Sequence, residues 1–393
     1  MDFTPFTVNV PQAELDDLRS RIAATRWPDQ IPESGWNYGA NIDFVRELLE
    51  YWANGFDWRK TEAELNAWPQ YTTTIDGQKI HFIHVRSPHK GARPLVLLHG
   101  WPSTTTEFSK VIGPLSDPVS HGGNAEDAFD IVVPSLPGFG WSGPTREPGW
   151  HPGRIADAFA ELLEGLGYDH YFVHGGDYGA VVAGQLALRH PERVTAIHLT
   201  FLVTGGRRPE DGEATPEEAR LEADQAIYNA TETGYLAIQA TKPQSLAYGL
   251  NDSPAGLAAW IVEKFNSWTD NGGDLESVLT KDELLANITT YWLTQTAGSA
   301  ARLYYETAAG GMMGPSAERV ETPTYVAVFP KELYRTTRRI AEHHYNVQRW
   351  TEQPRGGHFA ASEQPELLVD DIRSALRTVG VDRVEDVTEG ARA

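Results

Sequence analysis

Apolar positions along the first fifty residues recur with the period of a helix. In Q-A-E-L-D-D-L-R-S-R-I-A-A, residues 12–24, Leu15, Leu18 and Ile22 share one face, and Phe44, Val45, Leu48, Leu49 and Trp52 form the next such stripe. The spacing predicts a helical, tryptophan-rich arm over residues 1–80. Its stripes need more surface to cover than the arm itself supplies, so the arm is expected to wrap over the adjoining domain.

From Ile80 the pattern changes to short apolar runs: I-H-F-I-H-V, then Pro94–Gly100, Phe129–Pro134, Tyr171–His174 and Ala196–Phe201, with a last predicted strand at Thr324–Phe329. Helical stretches such as Arg154–Gly167, Ala180–His190 and Pro365–Arg377 stand between and after them. Buried strands alternating with helices predict an α/β fold, a mostly parallel sheet with helices on both faces. Between about Thr204 and Val320 the strand signal vanishes, and amphipathic runs such as L-A-A-W-I-V-E-K-F and L-L-A-N-I-T-T-Y-W-L take over. Such an insertion beyond the strand ends reads as a helical cap, or lid. The expected division is a helical arm over 1–80, a first part of the core over 81–203, the cap over 204–320 and a second part of the core over 321–393. The polar tail Val381–Ala393 is expected to be loose.

Composition narrows the chemistry. Acidic residues outnumber basic ones 54 to 33, a formal charge of −21 that repels phosphate backbones and anionic membrane surfaces, so neither nucleic acid nor a membrane is an expected partner. No apolar run approaches the roughly 18 to 20 residues of a membrane span. The start, M-D-F-T-P-F-T-V-N-V, lacks the charged and apolar regions of a secretion signal, and a cytoplasmic location is the expectation. The absence of cysteine excludes disulfides, thiolate nucleophiles and cysteine-based metal sites.

Covalent chemistry then falls to other side chains, and Y-F-V-H-G-G-D-Y-G-A, residues 171–180, supplies one. A strand ending in small-x-nucleophile-x-small and opening a helix is the nucleophile elbow of α/β-hydrolases. The nucleophile sits there in a strained, positive-φ conformation, which requires small neighbours: Gly175, Gly176 and Gly179 around Asp177. The helix N-terminus beneath it favours an anion. Taken alone, an aspartate before a helix is more often a cap, but a base and an acid follow in the order this fold uses. His358 in R-G-G-H-F-A-A lies before the C-terminal helix, and Glu332 stands three residues past Phe329, with Glu210 and Asp211 as competing acids. The loop H-G-W-P, residues 99–102, follows a strand where such folds place an oxyanion-hole donor, so the two backbone donors are assigned to Trp101 and Tyr178. An aspartate nucleophile attacks saturated carbon and leaves an ester for water to cleave, with a halide or a strained epoxide oxygen as the leaving group. Epoxide opening calls for a hydroxyl acid, and cap tyrosines such as Tyr235 and Tyr304 are candidates whose orientation spacing does not fix.

Taken together, the arm's R-W-P and D-W-R-K-T-E, then H-G-W-P, G-G-D-Y-G, T-K-P, L-N-D-S-P-A-G-L-A-A-W-I-V-E-K-F, F-P-K-E-L and R-G-G-H-F-A-A resemble the microsomal-type epoxide hydrolases over nearly the whole chain. The resemblance implies Asp177 as nucleophile, His358 as base, Glu332 as its orienting acid, and Tyr235 with Tyr304 as the pair that activates the epoxide, Tyr305 being the close rival to Tyr304. It implies a vicinal diol as product and an epoxide and water as partners; the motifs set aside below leave no organic cofactor and no metal expected. An aromatic-rich cap suggests a bulky apolar or aromatic substrate. Against mammalian members the chain is expected to lack the N-terminal anchor, as in a soluble bacterial type, and it carries Tyr178 where tryptophan is familiar. Similar proteins occur in bacterial secondary metabolism, enediyne antibiotic pathways included, and in catabolism. A homodimer is left open. The alternatives are a haloalkane or haloacid dehalogenase with the same aspartate, and a non-catalytic ligand-binding member of the fold.

Two motifs are set aside. G-F-G-W-S-G, residues 138–143, matches a dinucleotide fingerprint but leads into Pro144 instead of a helix, and Ser142 lacks elbow spacing. His343 and His344 have no recognisable metal spacing.

Overall fold

The architecture is built on one nine-stranded sheet in the order β1-β2-β3-β5-β4-β6-β7-β8-β9, in a computed structural model that describes residues 1–379. The tail Val381–Ala393, expected to be loose, lies outside the described residues. The strands are β1 (Thr4–Phe6), β2 (Gln70–Ile75), β3 (Gln78–Val85), β4 (Arg93–Leu98), β5 (Phe129–Pro134), β6 (Tyr171–Gly175), β7 (Val194–Leu199), β8 (Val320–Val328) and β9 (Tyr345–Glu352). β1, β2, β3 and β5 pair antiparallel in succession, and every pairing from β5 through β4, β6, β7 and β8 to β9 is parallel. Parallel strands are covered on both faces. One core cluster holds Val96, Val173 and Ile197, and the other holds Leu95, Leu97 and Phe172, so alternate residues of the same strands point to opposite sides.

Two expectations need correction. The first eighty residues are not wholly helical, because β1 and β2 extend the sheet, and Thr324–Phe329 is not the last strand, because β9 comes after it. β2 reads Q-Y-T-T-T-I and β9 reads Y-N-V-Q-R-W-T-E, both too polar to stand out as buried runs. They lie toward the two edges of the sheet, where one side of the backbone has little to bury.

The arm helices α1 (Gln12–Ala23), α2 (Ile42–Asn54) and α3 (Trp58–Leu65) bury the stripes the periodicity marked: Leu15, Leu18, Ile22, Val45, Leu48, Leu49 and Trp52. They join the core cluster that includes Val96 and Val173. Side chains fasten the extended segment before α1. Asn66 accepts from the Val8 N–H and donates to the Val8 carbonyl, both at 2.8 Å, and Glu62 accepts from the Val10 N–H at 2.7 Å.

Helices α4 (Ser109–Ser116), α5 (Pro152–Gly165) and α6 (Asp177–Arg189) cover the sheet. Between β7 and β8 the chain forms six helices: α7 (Pro216–Thr231), α8 (Gly234–Thr241), α9 (Pro243–Asp252), α10 (Pro254–Trp268), α11 (Lys281–Thr294) and α12 (Ala297–Ala309). The short α13 (Arg338–Ala341) and α14 (Ala360–Glu363) precede α15 (Pro365–Arg377). No helix among the described residues is long and apolar enough to cross a membrane. The parallel strands β4, β6, β8 and β9 bring their carboxyl ends, and the loops after them, to one edge of the sheet, where ligands of open α/β sheets bind.

Replacing Asn66 by Ala strips both backbone groups of buried Val8 of their partner. Urea unfolding is expected to show a loss of about 1–3 kcal/mol; an unchanged midpoint would mean that the arm is held by its apolar stripes alone.

Candidate active site

Asp177 opens α6 with φ of 47°, the left-handed conformation that the elbow pattern calls for. Such a backbone costs about 1–3 kcal/mol and persists only where its surroundings enforce it. Here close approach enforces it. A Cβ on Gly179 would overlap the carbonyl of Leu98 at the end of β4, and one on Gly175 would overlap the backbone of Gly179. The helix can therefore start only against bare backbone, and the Asp177 side chain is turned up beyond the sheet at the N-terminus of α6.

Its two oxygens have different partners. Oδ1 accepts from the Trp101 N–H at 2.8 Å, while Oδ2 lies 3.3 Å from His358 Nε2. His358 Nδ1 donates in turn to Glu332 Oε1 at 2.6 Å, and the same oxygen accepts from the Leu333 N–H at 2.6 Å. His358 and Glu332 are buried, whereas Asp177 keeps partial access to a cavity. Burial opposes a charge on His358, but Glu332 and Asp177 on either side outweigh it and hold the imidazole well above its ordinary pKa. The loop carrying His358 is fixed by its own N–H, which donates to the Trp268 carbonyl at 2.9 Å, and the ring packs edge-on against Trp268 at 5.2 Å.

Of the three candidate acids, Glu332 alone reaches His358. Asp211 pairs with His343 at 2.8 Å, and Glu210 is exposed. His344 accepts from the Gly205 N–H, and Ser142 donates to the Ser135 carbonyl from a fully buried position, so neither joins the site. Of the two backbone donors assigned from the sequence, the Trp101 N–H meets the Asp177 carboxylate, and among the described residues the Tyr178 N–H makes no hydrogen bond to it. No group of three or more His, Cys, Asp or Glu among the described residues could hold a metal ion.

Asp177 faces a cavity of about 460 Å³ between the sheet edge and the inserted helices. Tyr235 from α8 and Tyr304 from α12 line it. Tyr304 is 2% exposed and Tyr305 46%, so the first of the adjacent pair faces inward. Tyr235 stacks on Trp101 with ring centroids 5.1 Å apart, and Tyr304 meets the same indole edge-on at 5.9 Å. Burial, with the neighbouring tyrosine and the Asp177 anion adding to it, pushes both hydroxyls well above the usual tyrosine value. They stay O–H donors. Apolar side chains including Phe201, Leu221, Leu236 and Leu333 form much of the remaining wall.

The sequence pattern left two features of the site unmarked. Tyr334 lines the cavity and packs edge-on against Phe201 at 5.7 Å; its position two residues after Glu332 was a usable signal. Lys264 is buried with its ammonium 4.9 Å from the centre of the Tyr235 ring, and nothing in L-A-A-W-I-V-E-K-F separates it from a solvated lysine.

This arrangement equips a carboxylate for attack, an imidazole for taking a proton, and hydroxyls for receiving negative charge, all in one apolar cavity. Residues 3–108 match the family described as epoxide hydrolase N terminus, and residues 93–221 match the alpha/beta hydrolase fold. The chain is 47% identical to a Stigmatella aurantiaca protein provisionally named an epoxide hydrolase, over 95% of this chain and 84% of that one. It is 36% identical to Epoxide hydrolase 1 of Sus scrofa, over 95% of this chain and 88% of the other. The structure of juvenile hormone epoxide hydrolase from the silkworm Bombyx mori superposes with a TM-score of 0.87 at 31% identity, covering 96% of this chain and 94% of that one.

A Cβ on Gly100 would overlap the Asp177 carboxylate. Gly100→Ala is expected to displace that carboxylate from the Trp101 N–H and cut epoxide turnover at least about a hundredfold, since displacements near 1 Å have that effect. Thermal unfolding run beside the assay should show a folded protein; full activity in Gly100→Ala would contradict the geometry.

Proposed function

The chain belongs to the epoxide hydrolase family of the α/β-hydrolase fold, and from that premise we propose that Asp177 is the nucleophile that opens the epoxide. The observation that carries the reading is the division of labour between the two carboxylate oxygens. With Oδ1 held by the Trp101 N–H, Oδ2 is left free to attack from beside His358.

Oδ2 forms a bond to one ring carbon and the C–O bond on that carbon breaks. The released alkoxide takes a proton from Tyr235 or Tyr304, whose raised pKa values keep them protonated until substrate arrives. The ester removes the charge from Asp177. His358, oriented by Glu332, then takes a proton from a water molecule, which attacks the ester carbonyl. Negative charge gathers on Oδ1, where the Trp101 N–H already points and the Tyr178 N–H at the start of α6 is the second donor. The intermediate collapses, the second alcohol leaves with the proton from His358, and the remaining carboxylic proton returns through water to the tyrosinate. The product is a vicinal diol.

In this reading residues 1–80 are the arm, 81–203 and 321 onward the core, and 204–320 a cap that seats the substrate against the elbow. The apolar cavity walls suit a bulky apolar or aromatic epoxide.

Full-length His358→Gln incubated with styrene oxide is expected to gain the mass of one substrate, on the peptide containing Asp177, while the wild-type protein releases diol. An adduct on another residue, or none from either protein, would overturn the assignment; an adduct from haloalkanes alone would make the protein a dehalogenase. Tyr304→Phe should slow ester formation by about a hundredfold or more, and Tyr305→Phe should leave it unchanged. Equal effects in the two variants would remove Tyr304 from its role.

A further inference from the structure

Behind the H-G-W-P loop lies a second cavity, of about 260 Å³, and Glu107 lines it together with Ser103. The reaction just described makes no use of this carboxyl, yet a chain of hydrogen bonds joins it to Asp177. Ser103 Oγ contacts both Glu107 Oε2 and, at 3.1 Å, the Gly100 carbonyl. That carbonyl belongs to the same peptide unit as the Trp101 N–H, which donates to Asp177 Oδ1.

A serine hydroxyl has one proton to give. Here it stands before two acceptors, a carbonyl and a carboxyl, and both contacts become hydrogen bonds only if the carboxyl itself carries a proton. Glu107 then donates to Ser103, and Ser103 donates to Gly100. An ionised Glu107 would instead draw the serine proton to itself and leave the carbonyl with one donor fewer. The remaining donor is His99: its Nε2 accepts from the Leu136 N–H, so Nδ1 carries the proton and gives it to Gly100 at 3.1 Å. Donation to a peptide carbonyl polarises the unit and strengthens its N–H as a donor.

We propose that Glu107 is a positioning residue that holds a proton against Ser103, directs the Ser103 hydroxyl onto the Gly100 carbonyl, and thereby strengthens the Trp101 N–H that receives charge on Asp177 Oδ1. The proposal rests on the reading of Asp177 as the nucleophile and of Trp101 as an oxyanion donor.

The surroundings favour the protonated carboxyl. Burial is the main influence and pushes Glu107 up to about 7; Asp177 and Glu332 add to the rise, while the Ser103 contact and His358 oppose it. The other charged groups on the cavity wall are Asp57, Lys60 and Glu64 of the arm and Asp282 and Glu283 of α11. Among them Lys60 pairs with Glu64 and Asp282, and Glu283 with Lys110 of α4. With the pKa raised, the protonated form is present below it and is lost as pH rises through it. Esterification removes the Asp177 anion, so in the intermediate the group titrates lower than in the free protein.

Single-turnover kinetics with an aryl epoxide across neutral pH, resolving ester formation from ester hydrolysis, test this in wild type, Glu107→Gln and Ser103→Ala. Because Glu332 still holds His358 up while Glu107 titrates lower in the intermediate, the two titrations overlap, and wild-type hydrolysis is expected to peak where neutral His358 and protonated Glu107 coexist and to fall on either side. Glu107→Gln, whose amide always donates to Ser103, should reach at least the wild-type maximum and lose the falling limb. Ser103→Ala should slow hydrolysis about tenfold, the worth of one neutral hydrogen bond, while ester formation holds. A falling limb unchanged in Glu107→Gln, or wild-type hydrolysis in Ser103→Ala, overturns the proposal while leaving the nucleophile in place. A wild-type protein that forms no ester overturns the reading of Asp177 and this proposal with it. Should Ser103→Ala fail to fold, the Glu107→Gln profile decides.

Discussion

The site depends on one close approach, that of Gly179 in the first turn of α6 to the Leu98 carbonyl at the end of β4. A side chain at Gly179 would push the helix away from the strand, and the left-handed backbone of Asp177 would lose what enforces it. The same contact sets the carboxylate over Gly100, so that the Trp101 N–H meets Oδ1 without rearrangement. Gly100 after β4, Gly175 at the end of β6 and Gly179 in the first turn of α6 thereby convert an ordinary parallel sheet into a mount for a carboxylate.

Electrostatics follow from that placement. Asp177 and Glu332 flank His358 from opposite ring nitrogens, and the imidazole is held well above its usual pKa although burial works against its charge. Toward the cavity the same low-dielectric surroundings act on neutral acids and keep Tyr235 and Tyr304 protonated. Burial thus raises the tyrosines while paired charge raises the histidine. The inserted helices also brace the loop beneath Asp177: Asn287 donates to the Pro102 carbonyl at 2.8 Å and Tyr291 to the Ser103 carbonyl at 3.0 Å, both from α11. The segment that contributes Tyr235 and Tyr304 therefore also steadies the loop whose Trp101 N–H meets Asp177.

Much of this was legible in the sequence, for reasons that differ by element. Buried parallel strands such as V-L-L in β4 and Y-F-V in β6 are apolar on both faces and announce themselves, whereas β2 and β9, near the edges, carry Thr, Gln, Arg and Glu and do not. The elbow was readable because its steric demand is written in glycines. Glu332 and Tyr304 were chosen through the family resemblance and not through spacing: Glu332 and Asp211 each follow a parallel strand and only the fold decides which one reaches His358, while Tyr304 and Tyr305 are adjacent and differ only in the direction they face. Lys264 and Glu107 carry no local signature at all: a charged residue in an amphipathic stretch reads as solvated, and only the packing of other segments buries it.

In the proposed mechanism water attacks the carbonyl of an Asp177 ester and never the epoxide itself. A single turnover in ¹⁸O-labelled water, with protein in excess over substrate, distinguishes the two routes. The ester route releases a first diol that carries no label and leaves one ¹⁸O on the peptide containing Asp177. Label in the diol with none on Asp177 would contradict it, and would recast Asp177 as a base acting on water beside an epoxide that opens directly.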